Sequence, residues 1–185
     1  MGANMKKVGF FFLFSLFYTT SLLAYEINAG NWLLKGVVGP SINLIHEDTT
    51  TRETPGAGAI LGLELDYMLD NSWSVGGAIR PMLTPGFIDL GFGIGAKYRW
   101  TQLEMPLIPF VSVSVTPAIL IPVNGPGTAH INLGLRPTVG CDYFVMRDLS
   151  VGIELALEPS ILFGSSYHRR VELTVDILTG ATWRF

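Results

Sequence analysis

The stretch that most constrains the fold is the alternating run from Val171 to Phe185. Every second position is apolar with one exception: Val171, Leu173, Val175, Ile177, Thr179, Ala181, Trp183 and Phe185. The positions between are mostly polar or glycine: Glu172, Thr174, Asp176, Leu178, Gly180, Thr182 and Arg184. Successive side chains of a strand point to opposite sides, so a period of two over this length predicts a β-strand with one apolar face.

The same alternation recurs in seven earlier runs, most of them as long as the roughly 9 to 11 residues that a tilted membrane strand needs. They cover residues 31–43, 57–67, 73–83, 88–100, 111–119, 131–143 and 149–159. A polar loop from Ile45 to Pro55, turn signals near residues 70 and 85, and loops at 124–127 and 164–169 separate them. Eight alternating runs predict an all-β, eight-stranded antiparallel up-and-down transmembrane barrel.

Composition agrees with a barrel in a membrane. Of the 185 residues, 49% are hydrophobic and 15% charged, yet no stretch after residue 24 reaches the roughly 20 apolar residues of a membrane helix. A membrane barrel accounts for this, because its lipid face alternates with a polar interior. The net charge of −3 offers no basic footprint for nucleic acid. The only cysteine, Cys141, lies on an apolar face and is interpreted as a packing residue.

The first 24 residues have the pattern of a secretory signal peptide. Lys6 and Lys7 form a charged start, an apolar core follows, and cleavage after Ala24 is expected. Met5 is an alternative start to Met1, and Leu22 leaves the cleavage position open. The predicted organisation is a signal peptide at 1–24 and one barrel domain at 25–185.

Charged residues fall on the inward faces of the predicted strands. They are Lys35, Glu64, Arg80, Asp89, Lys97, Arg136, Glu154, Glu158, Glu172 and Asp176. Buried charges persist when they are paired or solvated, and an eight-stranded barrel is just wide enough for side chains to fill it. The set predicts an internal ion-pair and hydrogen-bond network. The glycines from Gly91 to Gly95 alternate within a strand, so they are interpreted as making room for long side chains and not as a phosphate loop.

Aromatic residues collect at one end of the predicted strands. They are Trp32, Tyr67, Trp73, Tyr98, Trp100, Phe110, Tyr143, Trp183 and Phe185, and they predict a girdle at one membrane interface. Four prolines fall towards the opposite end, where the loss of a ladder donor is easier to tolerate: Pro40, Pro81, Pro117 and Pro159. Pro137 lies deeper and suggests a local bulge.

The ending that contains Gly180, Trp183 and Phe185 resembles the C-terminal signature of bacterial outer-membrane barrels. With the signal peptide, the strand count and the girdle, the chain resembles the small eight-stranded family of OmpX, OmpW and the OmpA membrane domain. The resemblance implies a Gram-negative outer membrane, contact with its lipid and lipopolysaccharide, and recognition of those three residues by the barrel-assembly machinery, with periplasmic chaperones on the way. We expect a monomer with no cofactor, no metal and no nucleic-acid partner.

The fold leaves the function open, because it carries structural proteins, adhesins, channels and enzymes. The preferred interpretation is a non-enzymatic barrel with a side-chain-filled lumen and a structural or surface-interaction role. The first alternative is a narrow, porin-like channel for ions or small solutes through the charged interior.

Two further alternatives come from the outer loops and the first strand. Ser165, Ser166, His168 and Glu172 have the residue types of a lipid A-modifying enzyme, while Arg52, Arg169 and Arg170 could contact lipopolysaccharide phosphates. His46, His130 and His168 share one end, but solvated surface histidines are expected there and not a metal site. Gly30-Asn31-Trp32 matches the lipocalin Gly-x-Trp, although a lipocalin keeps its apolar side chains inside.

Overall fold

The computed structural model describes residues 27–46, 57–103, 105–123, 129–164 and 167–185, with only the backbone described at 45, 46, 164 and 167–170. Within these ranges eight antiparallel strands form a closed barrel in which each strand pairs with the next and the last pairs with the first. The strands are β1 (Trp32–His46), β2 (Gly58–Met68), β3 (Trp73–Leu83), β4 (Phe87–Arg99), β5 (Leu107–Pro122), β6 (His130–Phe144), β7 (Leu149–Gly164) and β8 (Tyr167–Arg184). This confirms the predicted barrel.

The signal peptide predicted at 1–24 lies outside the described residues. No helix in the described ranges is long and apolar enough to cross a membrane.

Several strands are longer than the sequence pattern predicted, among them β1, which runs to His46 and so into the loop predicted at Ile45 to Pro55. β5 has 16 residues, beginning at Leu107, because β6 offers a ladder partner along this length, from Leu107 opposite Tyr143 to Leu120 opposite His130. The loop predicted at 164–169 is wrong, since β7 continues to Gly164 and pairs there with Tyr167 of β8. The bulge suggested at Pro137 shifts the register on neither side of β6. The β5–β6 ladder runs unbroken through Val113 opposite Pro137, whereas the β6–β7 ladder lacks pairs for Leu135 to Pro137 and resumes at Thr138 in the same register.

The lower end of the barrel carries the short connections from β2 to β3, β4 to β5 and β6 to β7, and an apolar cluster closes it. This apolar floor consists of Ile27, Leu33, Met68, Ile108 and Phe144, all buried. Gly30 has a φ of 85°, a left-handed conformation that suits glycine, and its N–H donates to the carbonyl of Met68 at 2.8 Å. The turn at Gly30 therefore holds the segment before β1 under the lumen, with Ile27 in the floor.

One side of the barrel is taller than the other. β5, β7 and β8 have 16, 16 and 18 residues, whereas β2 and β3 have 11 each. At a strand tilt near 40° each residue climbs about 2.5 Å along the barrel axis. A strand of 16 residues then climbs about 38 Å from its first to its last residue and one of 11 about 25 Å. We call the outward face of β5 to β8 the long wall.

Most of the predicted girdle faces outward at the lower end, as the ring pairs illustrate. Trp32 lies 4.9 Å from Tyr67 between ring centroids, and Tyr98 lies 5.1 Å from both Trp73 and Trp100. Phe110 is a correction, because it is 1% exposed and lies inside the lumen. It shares the inward face of β5 with Ser112 and Ser114, so its place in the alternation already pointed inward.

The turn between β2 and β3 depends on one exposed carboxylate. Asp70 accepts hydrogen bonds from the backbone N–H groups of Ser72 and Trp73, both at 2.7 Å. Because both bonds favour the charged form, they lower the pKa of Asp70 from its ordinary value of 3.8. A lowered pKa means that the contribution to stability is present above that ordinary value and is lost as the pH falls through the folded-state pKa.

We therefore expect Asp70→Ala to destabilise the barrel at neutral pH and to have a smaller effect at a pH well below 3.8, where wild-type Asp70 becomes protonated as well. Urea unfolding of refolded protein at the two pH values measures this. Asn71→Ala is the control, because Asn71 supplies its backbone carbonyl to Thr101 and alanine keeps that group. An equal loss at both pH values contradicts the assignment.

Candidate functional site: the barrel lumen

Two carboxylates of β2 organise the lower half of the lumen. Glu64 accepts from Arg80 at 2.7 Å and from Lys97 at 3.2 Å. Asp66 accepts from Arg99 at 2.6 Å and pairs with Lys97 at 3.0 Å. Lys97 therefore bridges both carboxylates, and neighbouring strands β2, β3 and β4 supply the whole set. The ladder does not place these residues opposite one another, since Glu64 is opposite Ala78 and Lys97 is opposite Ser74, so long Arg and Lys side chains bridge the offset.

A second group of charges adjoins the first, since Lys35 is the ladder partner of Glu64. Lys35 of β1 pairs with Glu154 at 3.0 Å and with Asp142 at 3.4 Å. The ring of Phe110 contacts both lysines, with its centroid 4.8 Å from the Lys35 ammonium and 5.0 Å from that of Lys97. An ammonium group is attracted to the face of an aromatic ring, most strongly away from water. Phe110 therefore interacts favourably with two cations in a buried space.

Inward glycines make the room for these side chains. A Cβ on Gly93 would lie 2.9 Å from a guanidinium nitrogen of Arg80, and one on Gly140 would lie 2.5 Å from the Phe110 ring. Gly140 is the direct ladder partner of Phe110. The interpretation as space for a long side chain agrees with this contact at Gly93, and the same reasoning extends to an aromatic ring at Gly140. At Gly91 and Gly95 it is wrong, because a Cβ there would meet strand backbone and Ser114.

The upper half of the lumen holds one cation between two carboxylates. Arg136 of β6 is 1% exposed and contacts Asp176 of β8 closely, and it donates to Glu158 of β7 at 3.1 Å. Thr116 donates to the other oxygen of Glu158 at 2.6 Å. Beside this cluster the buried side chains of Val37, Ile60 and Leu178 pack together with Met82 against them. The upper level is thus part ionic and part apolar.

The structure places eight of the ten predicted charges in two separate groups of ion pairs inside the lumen. Lys35, Glu64, Arg80, Lys97 and Glu154 belong to the lower one, and Arg136, Glu158 and Asp176 to the upper one. Asp89 stands apart near the upper end: its neighbouring charges are Glu158, Glu172 and Asp176, and its buried Oδ1 has no hydrogen-bond partner among the described residues.

Several members of the lower group were not singled out from the sequence. Asp66, Arg99 and Asp142 carry ion pairs there, and Phe110 carries the contact between the lysines. The signal that could have found them is the same alternation, because all four occupy inward positions of their strands. What alternation could not give is which charge meets which.

A small cavity remains on the β3–β4–β5 side of the lower group. Its volume is about 30 Å³, and its wall includes Gly76, Ala78, Gly93, Ser112 and Ser114. A polar cavity of this size holds one or two water molecules. The lumen therefore contains charges that are paired with one another and space for water.

Most of the predicted outer-end residues lie outside the described side chains. The side chains of His46 and His168, like those of Arg169 and Arg170, are not among the described ones, and Arg52, Ser165 and Ser166 lie outside the described residues. The lipid A-modifying hypothesis thus falls largely outside the described part of the chain. Among the side chains that are described, no group of three or more His, Cys, Asp or Glu is placed to hold a metal ion.

The predicted assembly residues lie at the seam between β8 and its neighbours. Gly180 is opposite Val37 in β1 and Gly152 in β7. Trp183 and Phe185 both have exposed, outward side chains, and the backbone of Phe185 exchanges two hydrogen bonds with Trp32, at 2.9 and 3.0 Å.

Known structures with this architecture are outer-membrane barrels. The chain is similar to the outer membrane protein OprG from Pseudomonas aeruginosa (12% identity, TM-score 0.61, 86% of this chain and 98% of that one). It is also similar to Neisserial surface protein A (12%, 0.63, 86% and 100%) and to the N-terminal β-barrel domain of Pseudomonas aeruginosa OprF (11%, 0.60, 86% and 100%). No family model and no curated protein matches the sequence. At these identities the likeness establishes the fold.

Proposed function

We propose that the chain is an integral protein of a bacterial outer membrane that acts as a closed, non-enzymatic barrel with a structural or surface-interaction role in the cell envelope. The observation that carries this proposal is the filling of the lumen in successive levels. The apolar floor lies at the lower end, and the lower and upper ion-pair groups lie above it. A pathway for solutes would have to pass all three.

The outward surface supports residence in a membrane. Exposed large hydrophobic side chains occupy the outward positions of all eight strands, and one ring of aromatic residues marks the lower end. In water such a surface would favour association, whereas in a bilayer it is the surface that a transmembrane barrel needs. The lipid and lipopolysaccharide of the outer membrane are the proposed surroundings, and the barrel is proposed to be a monomer in them.

Assembly in that membrane is proposed to use Gly180, Trp183 and Phe185 as the signal read by the barrel-assembly machinery, after delivery by periplasmic chaperones. Two observations support this role: the terminal strand resembles the C-terminal signature of outer-membrane barrels, and the three residues lie at the seam where β8 pairs with its neighbours.

The test of the closed barrel is conductance of refolded protein in a planar bilayer. We expect no steady conductance steps, because charged and apolar side chains fill the described cross-section. A gel-mobility shift on boiling is the control, since a folded barrel resists detergent until it is heated. Discrete steps from heat-shifting wild-type protein contradict the closed lumen.

A narrow channel is the second candidate, and the cavity of about 30 Å³ beside the glycine-rich wall favours it. Its lining residues Glu64, Arg80 and Glu154 are polar enough to conduct water or an ion if the neighbouring pairs rearrange. Steps that change selectivity when Glu64, Arg80, Arg136 and Glu154 are replaced by neutral residues of similar size favour this candidate over the closed barrel.

A further inference from the structure

The long wall stays apolar to its upper edge. Six large side chains near its top are all between 40% and 60% exposed: Ile119, Ile121, Ile131, Ile161, Phe163 and Val171. Ladder partners connect them across four strands, with Ile119 opposite Ile131, Ile131 opposite Phe163, and Ile161 opposite Val171. They therefore form one contiguous surface, which we call the upper patch.

The height of the upper patch exceeds the usual apolar band of a membrane barrel. Ile121 and Phe163 each lie 14 positions along their strands from the lower rim, at Leu107 and Leu149. At about 2.5 Å per residue they stand about 35 Å above that rim, whereas the usual outward apolar band is about 25 Å tall. On the opposite side, β3 ends at Leu83, about 25 Å above Trp73.

The upper patch is as apolar as the part of the long wall below it. From Leu107 to Ile121 on β5, from Ile131 to Tyr143 on β6 and from Leu149 to Phe163 on β7, no outward position carries a charged residue. A strand extension that stood in water would be expected to turn polar at this height, because contiguous apolar patches on a water-facing surface mark a contact with something else. A protein–protein interface usually has a polar rim around its apolar centre, and the outward positions named above include no charged residue that could form one.

We propose that the upper patch is a lipid-binding surface, covered by bilayer acyl chains, so that the barrel contacts a taller column of lipid along β5 to β8 than along β2 and β3. This inference rests on the proposed membrane residence. The patch continues the lipid-facing wall without a polar break, and acyl chains are the occupant that needs no hydrogen bond or charge from it. The bilayer accommodates such a difference by local thickening or by tilt of the barrel.

Spin labels test the occupant directly. With Cys141 replaced by serine, single cysteines are introduced at Ile121 and Phe163, labelled, and studied in palmitoyl-oleoyl phosphatidylcholine vesicles. Relaxation by oxygen reports lipid, and relaxation by a water-soluble nickel chelate reports water. Val113, at mid-height on the same wall, is the lipid control, and Met146, exposed in a lower turn, is the water control. A boiling shift on gels confirms that each labelled protein is folded, and Ile131→Cys replaces any that is not.

We expect oxygen accessibility at positions 121 and 163 within about twofold of that at 113, with low nickel accessibility, because all three sites face hydrocarbon. High nickel accessibility at the upper positions overturns the proposal, because the patch then stands in water. Low accessibility to both reagents also overturns it, because a second copy or another protein then covers the patch. If the nickel chelate reaches position 113 in folded protein, the proposed membrane residence is wrong. This result is distinguishable from water at the upper patch alone, in which position 113 stays protected.

Discussion

Replacing Arg136 with methionine is expected to lower the free energy of unfolding by about 3–5 kcal/mol, the range for removing one partner of a buried ion pair. Arg136 is the cation that the structure pairs with Asp176, and both side chains are 1% exposed. Methionine roughly fills the volume but leaves the Asp176 carboxylate buried without compensation, with Glu158 beside it. Urea titration in lipid vesicles, followed by tryptophan emission, measures the loss.

The matched control is Arg184→Met at the lower rim. Arg184 pairs with Asp148 at 2.5 Å, but the Asp148 side chain is 48% exposed, so water replaces the lost partner. We expect a change of about 1 kcal/mol or less there. Adding Asp176→Asn to Arg136→Met is expected to recover part of the loss, because it removes the uncompensated charge. If the double variant is no better than the single one, the loss comes from packing and not from charge.

The second large effect is expected from Gly140→Ala. A Cβ at this position would lie 2.5 Å from Cζ of Phe110 and 2.6 Å from the backbone oxygen of Ile153, so both a packed ring and a neighbouring strand must shift. Overpacking of this kind costs about 1–3 kcal/mol, and displacement of the ring also disturbs its contacts with Lys35 and Lys97. Urea unfolding together with the fraction that shows a boiling shift measures it.

Gly36→Ala is its control in the same barrel, because a Cβ there meets nothing within 4 Å. We expect little or no change in stability, since a strand accepts alanine where space is open. If the two variants lose comparable stability, the close contact at Gly140 is not the cause of the loss. The substitution of a strand glycine in general would then be the cause.

The barrel was predictable from the sequence because alternation of apolar and polar residues with a period of two follows directly from the geometry of a β-strand. The clearest case is β3, predicted and observed as Trp73–Leu83. The β7–β8 hairpin was less predictable, because Gly164 and the two serines after it read as a loop, whereas ladder pairing holds the strands together up to Gly164 and Tyr167. The composition of these few residues does not reveal that β7 and β8 pair along this length.

Inward orientation was also predictable, but the partner of each charge was not. Glu64 and Arg80 lie on neighbouring strands, whereas Arg136 on β6 reaches Asp176 on β8, past β7. Such contacts depend on the tilt and stagger of the closed barrel, which alternation does not encode. Phe110 illustrates the limit, because an aromatic residue at the right height was assigned to the girdle although its place in the alternation is inward.

The seam between β1 and β8 has a consequence for the order in which this protein is made and matured. Leu33 pairs with Arg184, so the ladder that removes both open edges joins positions about 150 residues apart in the chain. A ribosome that has synthesised only the first seven strands leaves β1 without its second neighbour, and its exposed edge can pair with other chains. Closure must therefore follow synthesis of the last strand, and until then the second edge of β1 stays open to pairing with other chains.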